Sequence, residues 1–489
     1  MKKRIAAIIS VIAVLSLVLL GCSNNGGNDG SSSTNSGADN AGKVDDNGSK
    51  ASQKITIRFD PQGHLPKKPD AQDPTEKKVL DELNKEYMDT HPNVSIELVK
   101  VPANQDRNAW LQARMMAKDA PDVFWLNFEE TWNNYKKGWF LPLDEYLEMP
   151  NPYNDNQIWK DTFVPGILDS VRAPDGKLYD IPADGVGVAI FYNKKIFDQL
   201  NLQQPKTWSD FMDISAKIQQ NGVIPFAFNM VNKGCCDAQW SDALIHNQFL
   251  IGKIDELDTD KNNRVDPVEI AKATQAGMLP NVEVLKQEFT LMKEWSKYWP
   301  RGFAAKYDKN EMFASGKAAM MFGGSWTISE LNAMKVPFEF GSFNFPTITE
   351  GTASLSTETG AKIYGPWGPG QWIVPGYLKQ DDPDKIKAII DYLMFLSKPS
   401  NISALDKETE SEPNIIGAEA PTGHEVFQED IPLIVIQHYQ AFLGKAFSDK
   451  FESALSLYLS DKLNLDQFIT QVQQFYKQGA AETLTQQGQ

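Results

Sequence analysis

Apolar and polar residues alternate along residues 55–59 (ITIRF), the period-two signature of a strand. A helix-period stretch follows at 73–91, where Val79, Leu80, Leu83 and Tyr87 share one side and Pro92 ends the pattern. Residues 94–101 (VSIELVKV) read as a second strand, 108–120 as a second helix and 121–127 (PDVFWLN) as a third strand. This β-α-β-α-β order predicts an α/β fold with a parallel sheet covered by helices. Ligands of such sheets lie beyond the carboxyl ends of the strands, which puts Trp125, Asn127 and Glu129 at a candidate binding edge.

Further along, 186–192 is apolar enough for a buried strand, and 205–222 reads as a helix with Thr207 or Ser209 near its cap. Residues 310–326 read as helix, turn and apolar strand, ending in Gly323-Gly324-Ser325-Trp326. Residues 370–401 give a strand, a polar turn and a strongly amphipathic helix, and the tail from Asp430 is largely helical. No repeat of solenoid or propeller length is present.

The start of the chain has another character. Lys2, Lys3 and Arg4 precede an uncharged apolar run, 5–20, that ends in Leu19-Leu20-Gly21-Cys22. A basic start, a short apolar run and small residues before a cut make an export signal. The Leu-Leu-Gly-Cys sequence resembles the bacterial lipobox, which implies cleavage after residue 21 and a lipid on Cys22; an uncleaved anchor is the alternative. Residues 23–53 hold Ser, Asn, Gly and Asp with few apolar side chains, and read as a flexible tether. The protein is expected outside the cytoplasm, held at a membrane surface.

Residues 54–489 are too many for a single core and suit two or three. The chain has a net charge of −16 and its first fifty residues carry +1, so the remainder carries −17. That balance argues against nucleic acid and against a broad grip on polyanions. Twelve Trp, 14 Tyr and 26 Phe give the core ample aromatic material and also suit a site that stacks flat apolar faces. Besides Cys22 there are only Cys235 and Cys236, adjacent to each other. They are either a strained vicinal disulfide or two free thiols.

The run 258–269 (DTDKNNRVDPVE) has the spacing of a single calcium loop. Asp258, Asp260, Asn262, Asp266 and Glu269 occupy positions 1, 3, 5, 9 and 12, Arg264 offers its carbonyl at position 7, and Val265 is the apolar pin. Asn263 stands where Gly is usual, and Asn tolerates that left-handed turn better than most residues. The alternative is a solvated acidic loop, since Asp266, Pro267 and Glu269 also make a helix cap. One loop, unpaired and without reacting groups, suits a structural Ca2+ clip rather than a sensor or a catalytic metal.

Several segments, taken in order, resemble the extracellular solute-binding lipoproteins of ABC importers, the family that includes the maltose-binding protein. They are DVFWLN, GWFLPLDEYL, GKLYDIP, GVAIFYNKKIFDQLNLQQPKTWSDF, FASGKAAMMFGGSW and KAIIDYLMFLSKPS, spread over about 54–400. The resemblance implies two α/β lobes joined by hinge crossovers, with the cleft between them taking an oligosaccharide for delivery to a membrane permease. It divides the chain into 54–185 plus 345–405 as the first lobe and 186–344 plus 406–489 as the second. It also implies sugar stacking on Trp125 and Trp326, with Asp184 placed to accept from hydroxyls. Trp240, Trp367 and Trp372 are further candidates against which core packing competes, and Gly residues in 365–370 (GPWGPG) would let backbone approach a ligand. The lone calcium loop resembles that of the alginate-binding proteins, which raises a long or uronate-containing ligand by analogy only. A monomer is expected.

No H-E-x-x-H, G-x-S-x-G or complete P-loop occurs, and the five His show no zinc spacing. A secreted calcium-dependent polysaccharide-degrading enzyme and an adhesive surface lipoprotein remain as alternatives.

Overall fold

The computed structural model describes residues 54–68, 76–102, 105–230, 237–259, 261, 265–305, 307–434, 443 and 445–487. Cys22, the tether and the Cys235–Cys236 pair fall outside these residues, as do Asp260, Asn262 and Arg264 of the calcium-type loop. The described residues belong to one compact unit, 52–489.

Among the described residues the fold is mixed α/β, with one larger sheet in each lobe and a two-stranded pair at the crossovers. In the first, β1 (Ile55–Asp60) lies between β2 (Val94–Leu98) and β3 (Val123–Phe124), all parallel. Helix Val79–Thr90 buries Leu80, Leu83 and Tyr87, as its spacing requires. It starts later than the pattern predicted: residue 77 is instead held in an antiparallel bridge to Lys67. Helix Pro383–Leu396 also covers this sheet, and Tyr392 meets Phe59 edge-on with ring centroids 6.0 Å apart.

The second sheet is built on β5 (Asp184–Asn193), buried at every position. It pairs antiparallel with β7 (Ala318–Gly324), β8 (Phe340–Phe343), β9 (Tyr364–Gly365) and β11 (Glu412–Pro413), while β6 (Ile224–Ala227) runs parallel to β7. Its core is aromatic. Trp295 packs against Trp208, Phe211, Phe226, Phe322 and Phe345 at centroid distances of 4.9–6.1 Å. Helix Trp208–Gln220 is capped by Thr207 in a reciprocal box with Asp210, which decides between the two predicted caps.

The chain passes between the sheets three times: at β4 (Ile181–Pro182) into β5, from β9 to β10 (Gln371–Trp372), and through β11. This corrects the predicted division at 345. Phe345 packs on Trp208, Trp208 N–H donates to Thr347 O (2.8 Å) and Ile348 N–H to Gln248 Oε1 (2.6 Å), so residues 345–363 stay with the second lobe. The return crossover begins at Tyr364. After β11, helices Lys445–Leu459 and Leu465–Gln487 pack back on the second lobe, where Phe468 meets Phe289 at 4.8 Å.

Candidate functional site

On the first-lobe side the chain leaves β3 through Trp125 and enters helix Phe128–Asn134 at Asn127, whose amide makes no cap bond. Both Trp125 and Asn127 are partly exposed. Trp125 Nε1–H donates to Gly368 O (2.8 Å). The Arg107 guanidinium lies 5.1 Å from the Trp125 ring centre, donates to Trp125 O and is ion-paired with Asp60. Buried Glu129 accepts from Trp367 Nε1–H (2.7 Å), so the partly exposed Trp367 sits beside this wall. Both indole N–H groups are satisfied inside the protein, leaving ring faces as what the two side chains can offer a ligand.

On the second-lobe side, partly exposed Trp326 follows β7 and has Trp240 behind it, with ring centres 6.1 Å apart. Trp240 is buried. Lys309 lies 5.3 Å from its ring and is paired with buried Asp237.

A local motif links the two sides. In 324–326 (GSW) and again in 365–367 (GPW), the indole folds back over the glycine two residues earlier. A Cβ on Gly324 would lie 2.2 Å from the Trp326 ring, and one on Gly365 2.5 Å from the Trp367 ring. Gly324 pairs with Val188 and Gly365 with Val186, so the two Trp turns stand on strands that both pair with the start of β5. Only glycine permits this contact. The sequence held the signal, a G-x-W repeat, but its meaning depended on both strands pairing with β5.

Two expected contacts are corrected. Trp372 is 1% exposed and paired opposite Ile181, so it is hinge core. Asp184 is fully buried: its Oδ1 accepts from Gly370 N–H (2.8 Å) and its Oδ2 lies 3.1 Å from His64 Nε2. The close approach that the glycines of 365–370 permit is therefore to this carboxylate. A Cβ on Gly368 would lie 2.0 Å from Asp184 Oδ1. Buried at the crossover and met there by local donors, the Asp184 side chain has a structural task.

In the calcium-type loop Asp258, Asp266 and Glu269 are all buried. Glu269 Oε1 accepts from Thr259 N–H (2.5 Å) and Thr259 Oγ1–H (2.8 Å), bringing position 12 back against the loop's start. Asp266 and Glu269 also form the capping box of helix Pro267–Gln275, with Pro267 in its first turn, so the cap and the loop geometry coexist. Val265 is fully buried, as a pin requires. Asp258, Asp266 and Glu269 thus lie on one short arc of the chain and are oxygen donors, the ligand type a hard cation takes. Tyr135 of the first lobe has its phenol pushed up by burial and by the charges of Asp175 and Asp266, which places the loop's exit within electrostatic reach of that lobe.

Residues 71–394 match the family described as bacterial extracellular solute-binding protein, well over half of the chain. The chain belongs to that family. It is thus a solute-binding protein and not an enzyme. The multiple sugar-binding protein of Streptococcus mutans is 26% identical over 342 residues, covering 65% of this chain and 70% of that protein. The sn-glycerol-3-phosphate-binding periplasmic protein UgpB of Brucella abortus is 22% identical over 304 residues, covering 60% and 62%. Among solved structures, RafE in complex with raffinose superposes with a TM-score of 0.62 at 17% identity, covering 87% of this chain and 99% of RafE. At that identity the likeness concerns the two-lobed fold. No helix among the described residues is long and apolar enough to cross a membrane.

Proposed function

We propose that this protein captures a neutral oligosaccharide between its lobes and delivers it to an ABC permease, while a lipid on Cys22 holds it at the outer face of the membrane. The observation that carries the reading is the pair of G-x-W turns, which sets Trp326 and Trp367 on strands flanking the start of β5. A pyranose has a flat C–H face that packs on indole and hydroxyls that need polar partners. On the first-lobe side, partly exposed Asn127 and Glu129, which holds Trp367 Nε1–H, are offered as such partners. The cations against Trp125 and Trp240 are already matched, Arg107 by Asp60 and Lys309 by Asp237. That pairing favours a neutral sugar over a uronate or a phosphate ester. The relatives bear on the same choice: one is named for multiple sugars, another for glycerol phosphate.

The loop 258–269 is proposed to hold one Ca2+ as a clip within the second lobe, through the side chains of Asp258, Asp260, Asn262, Asp266 and Glu269 and the carbonyl of Arg264. The cation would supply charge compensation for these carboxylates and no chemistry of reaction.

Titration calorimetry with raffinose, maltotriose, xylotriose, a uronate trisaccharide and glycerol 3-phosphate tests the reading. Saturable binding of a neutral member is expected. Trp326→Ala and Trp367→Ala are each expected to weaken it roughly ten- to hundredfold, the worth of about 1.5–3 kcal/mol for one buried apolar side chain. Binding confined to the charged members, or a double variant that binds as tightly as the parent, would defeat it.

A further inference from the structure

Where the crossovers meet, His64, Asp184 and Asp406 bring one imidazole nitrogen and two carboxylate oxygens within 4.8 Å of one another. His64 follows β1, Asp184 opens β5, and Asp406 lies in the last turn of helix Pro399–Thr409. Their exposures are 3%, 0% and 0%. Asp184 is well supplied with donors, from Gly370 N–H and from His64. Asp406 is not. Among the described residues no N–H or O–H reaches either of its carboxylate oxygens. Among the described residues no Lys or Arg is ion-paired with either acid. Two ionised carboxylates buried this close together are strongly unfavourable, and one of them takes a proton.

We propose that Asp406 carries a proton at neutral pH and donates it to Asp184, so that an acid–carboxylate hydrogen bond latches the first lobe's helix to the crossover strand. Asp184 remains the anion and accepts from Asp406 O–H, His64 Nε2–H and Gly370 N–H. The groups that face the pair favour the proton. Asp184 of β5, Glu412 of β11 and Tyr364 of β9 lie around Asp406, and Asp180 ahead of β4 lies near Asp184. Burial first, and then the charges of Asp184 and Glu412, hold the Asp406 carboxyl well above the usual carboxylate range. His64 is the base in contact, and among the described residues its Nδ1 has no partner. The contact with Asp184 Oδ2 puts a hydrogen on His64 Nε2 and leaves Nδ1 facing no acceptor among the described residues. The same nitrogen argues against a metal at this cluster. A metal on Nε2 would leave Nδ1–H without the acceptor that metal-bound imidazoles almost always have. The latch is a feature of the hinge and does not depend on which solute the cleft takes.

The sign of the pH dependence follows. An unfolded Asp titrates near about 3.9, whereas the folded Asp406 holds its proton to higher pH. The native state therefore binds a proton that the unfolded chain has released. Stability contributed by this group falls as pH rises from about 4 through its folded pKa, then levels. Asn donates a similar hydrogen bond without the proton.

The test compares thermal unfolding of the parent, Asp406→Asn and Asp406→Ala from pH 4 to 9 at constant calcium. Infrared spectra of the parent and the Asn variant at neutral pH accompany it. Asp406→Asn is expected to match the parent near pH 4 and to exceed it increasingly toward pH 8, with Asp406→Ala below Asn throughout. The parent should show a protonated-carboxyl carbonyl band that the Asn variant lacks. An Asn variant less stable than the parent at pH 8, or no such band, overturns the proposal. So does a stabilisation by added Zn2+ that the Asn variant loses, which would make the cluster a metal site.

Discussion

The hinge cluster and the acidic loop bury the same kinds of side chain to about the same degree, and they meet the cost in different ways. At the hinge, Asp184 and Asp406 come from distant parts of the chain, and among the described residues the donors go to Asp184 alone. In the loop, Asp258, Asp266 and Glu269 come from one short arc, where Glu269 gathers Thr259 N–H, Thr259 Oγ1–H and Asp266 N–H. A sparse pair can be neutralised by one proton, whereas an arc of alternating acids presents enough oxygens for a doubly charged cation. The two regions should therefore respond to pH with opposite sign.

The largest expected effect comes from removing the hinge acceptor. Asp184→Ala strips the partner from His64 Nε2–H, Gly370 N–H and Asp406 together. Breaking a buried charged network in this way typically costs about 3–5 kcal/mol. Denaturant unfolding of the variant checks it. A loss under about 1 kcal/mol would mean that the crossovers are held by packing around Trp372 and not by this carboxylate.

A neighbouring imidazole sharpens the hinge side. His424 is buried between Glu410 and Glu412, and although burial opposes its charge, hydrogen bonds and attraction to the two carboxylates raise it to about 9. A histidine raised above its unfolded value near 6.5 contributes fully below that value and loses its contribution as pH climbs through 9. The loss amounts to roughly 3 kcal/mol. Measured in the Asp406→Asn background, the decline in stability between pH 6.5 and 9 should shrink in His424→Gln by about that amount. A decline of unchanged size there refutes the assignment.

The same contrast explains what the sequence could reveal. The loop's acids and the cap of helix Pro267–Gln275 are spaced along the chain, so a short window holds the pattern. The parallel β1–β3 sheet was legible for the same reason, since its strands and helices alternate in order. The hinge was not. His64, Asp184 and Asp406 lie 120 and 222 residues apart along the chain, and only the pairing of β5 with β11 and the return past Gly370 assembles them. The family resemblance implies hinge crossovers and sets Asp184 against ligand hydroxyls. The crossover was real, but the chain closes over that carboxylate from both sides. Trp372 misled in a related way, because a Trp in a Gly-rich stretch reads as a platform until the strand opposite it is known. The boundary at 345 failed because Phe345 looks like any core aromatic until the Trp208–Trp295 cluster is in place. Arg107 over Trp125 was missed altogether, being an unremarkable helix residue until the end of β3 folds beneath it.

The smallest effect tests the loop side. Loops of this type outside the cell bind calcium at about 10⁻⁴–10⁻³ M, so if the proposed clip holds, 1 mM calcium is expected to stabilise the folded lobe by about 0.4–1.4 kcal/mol through mass action. Removing calcium with a chelator should lower the melting temperature by roughly 1–5 °C, and readdition should restore it. Glu269→Gln should abolish the calcium-dependent part, leaving a further cap-related loss that calcium does not change. The ligating carboxylates must be ionised, so the difference between calcium-loaded and chelated protein should hold from pH 6 to 8 and shrink below about pH 5. Acid thus weakens the loop while it relieves the hinge pair. Melting that ignores calcium at every pH would reduce the loop to a helix cap, and the contrast between the two clusters would then rest on hydrogen-bond donors alone.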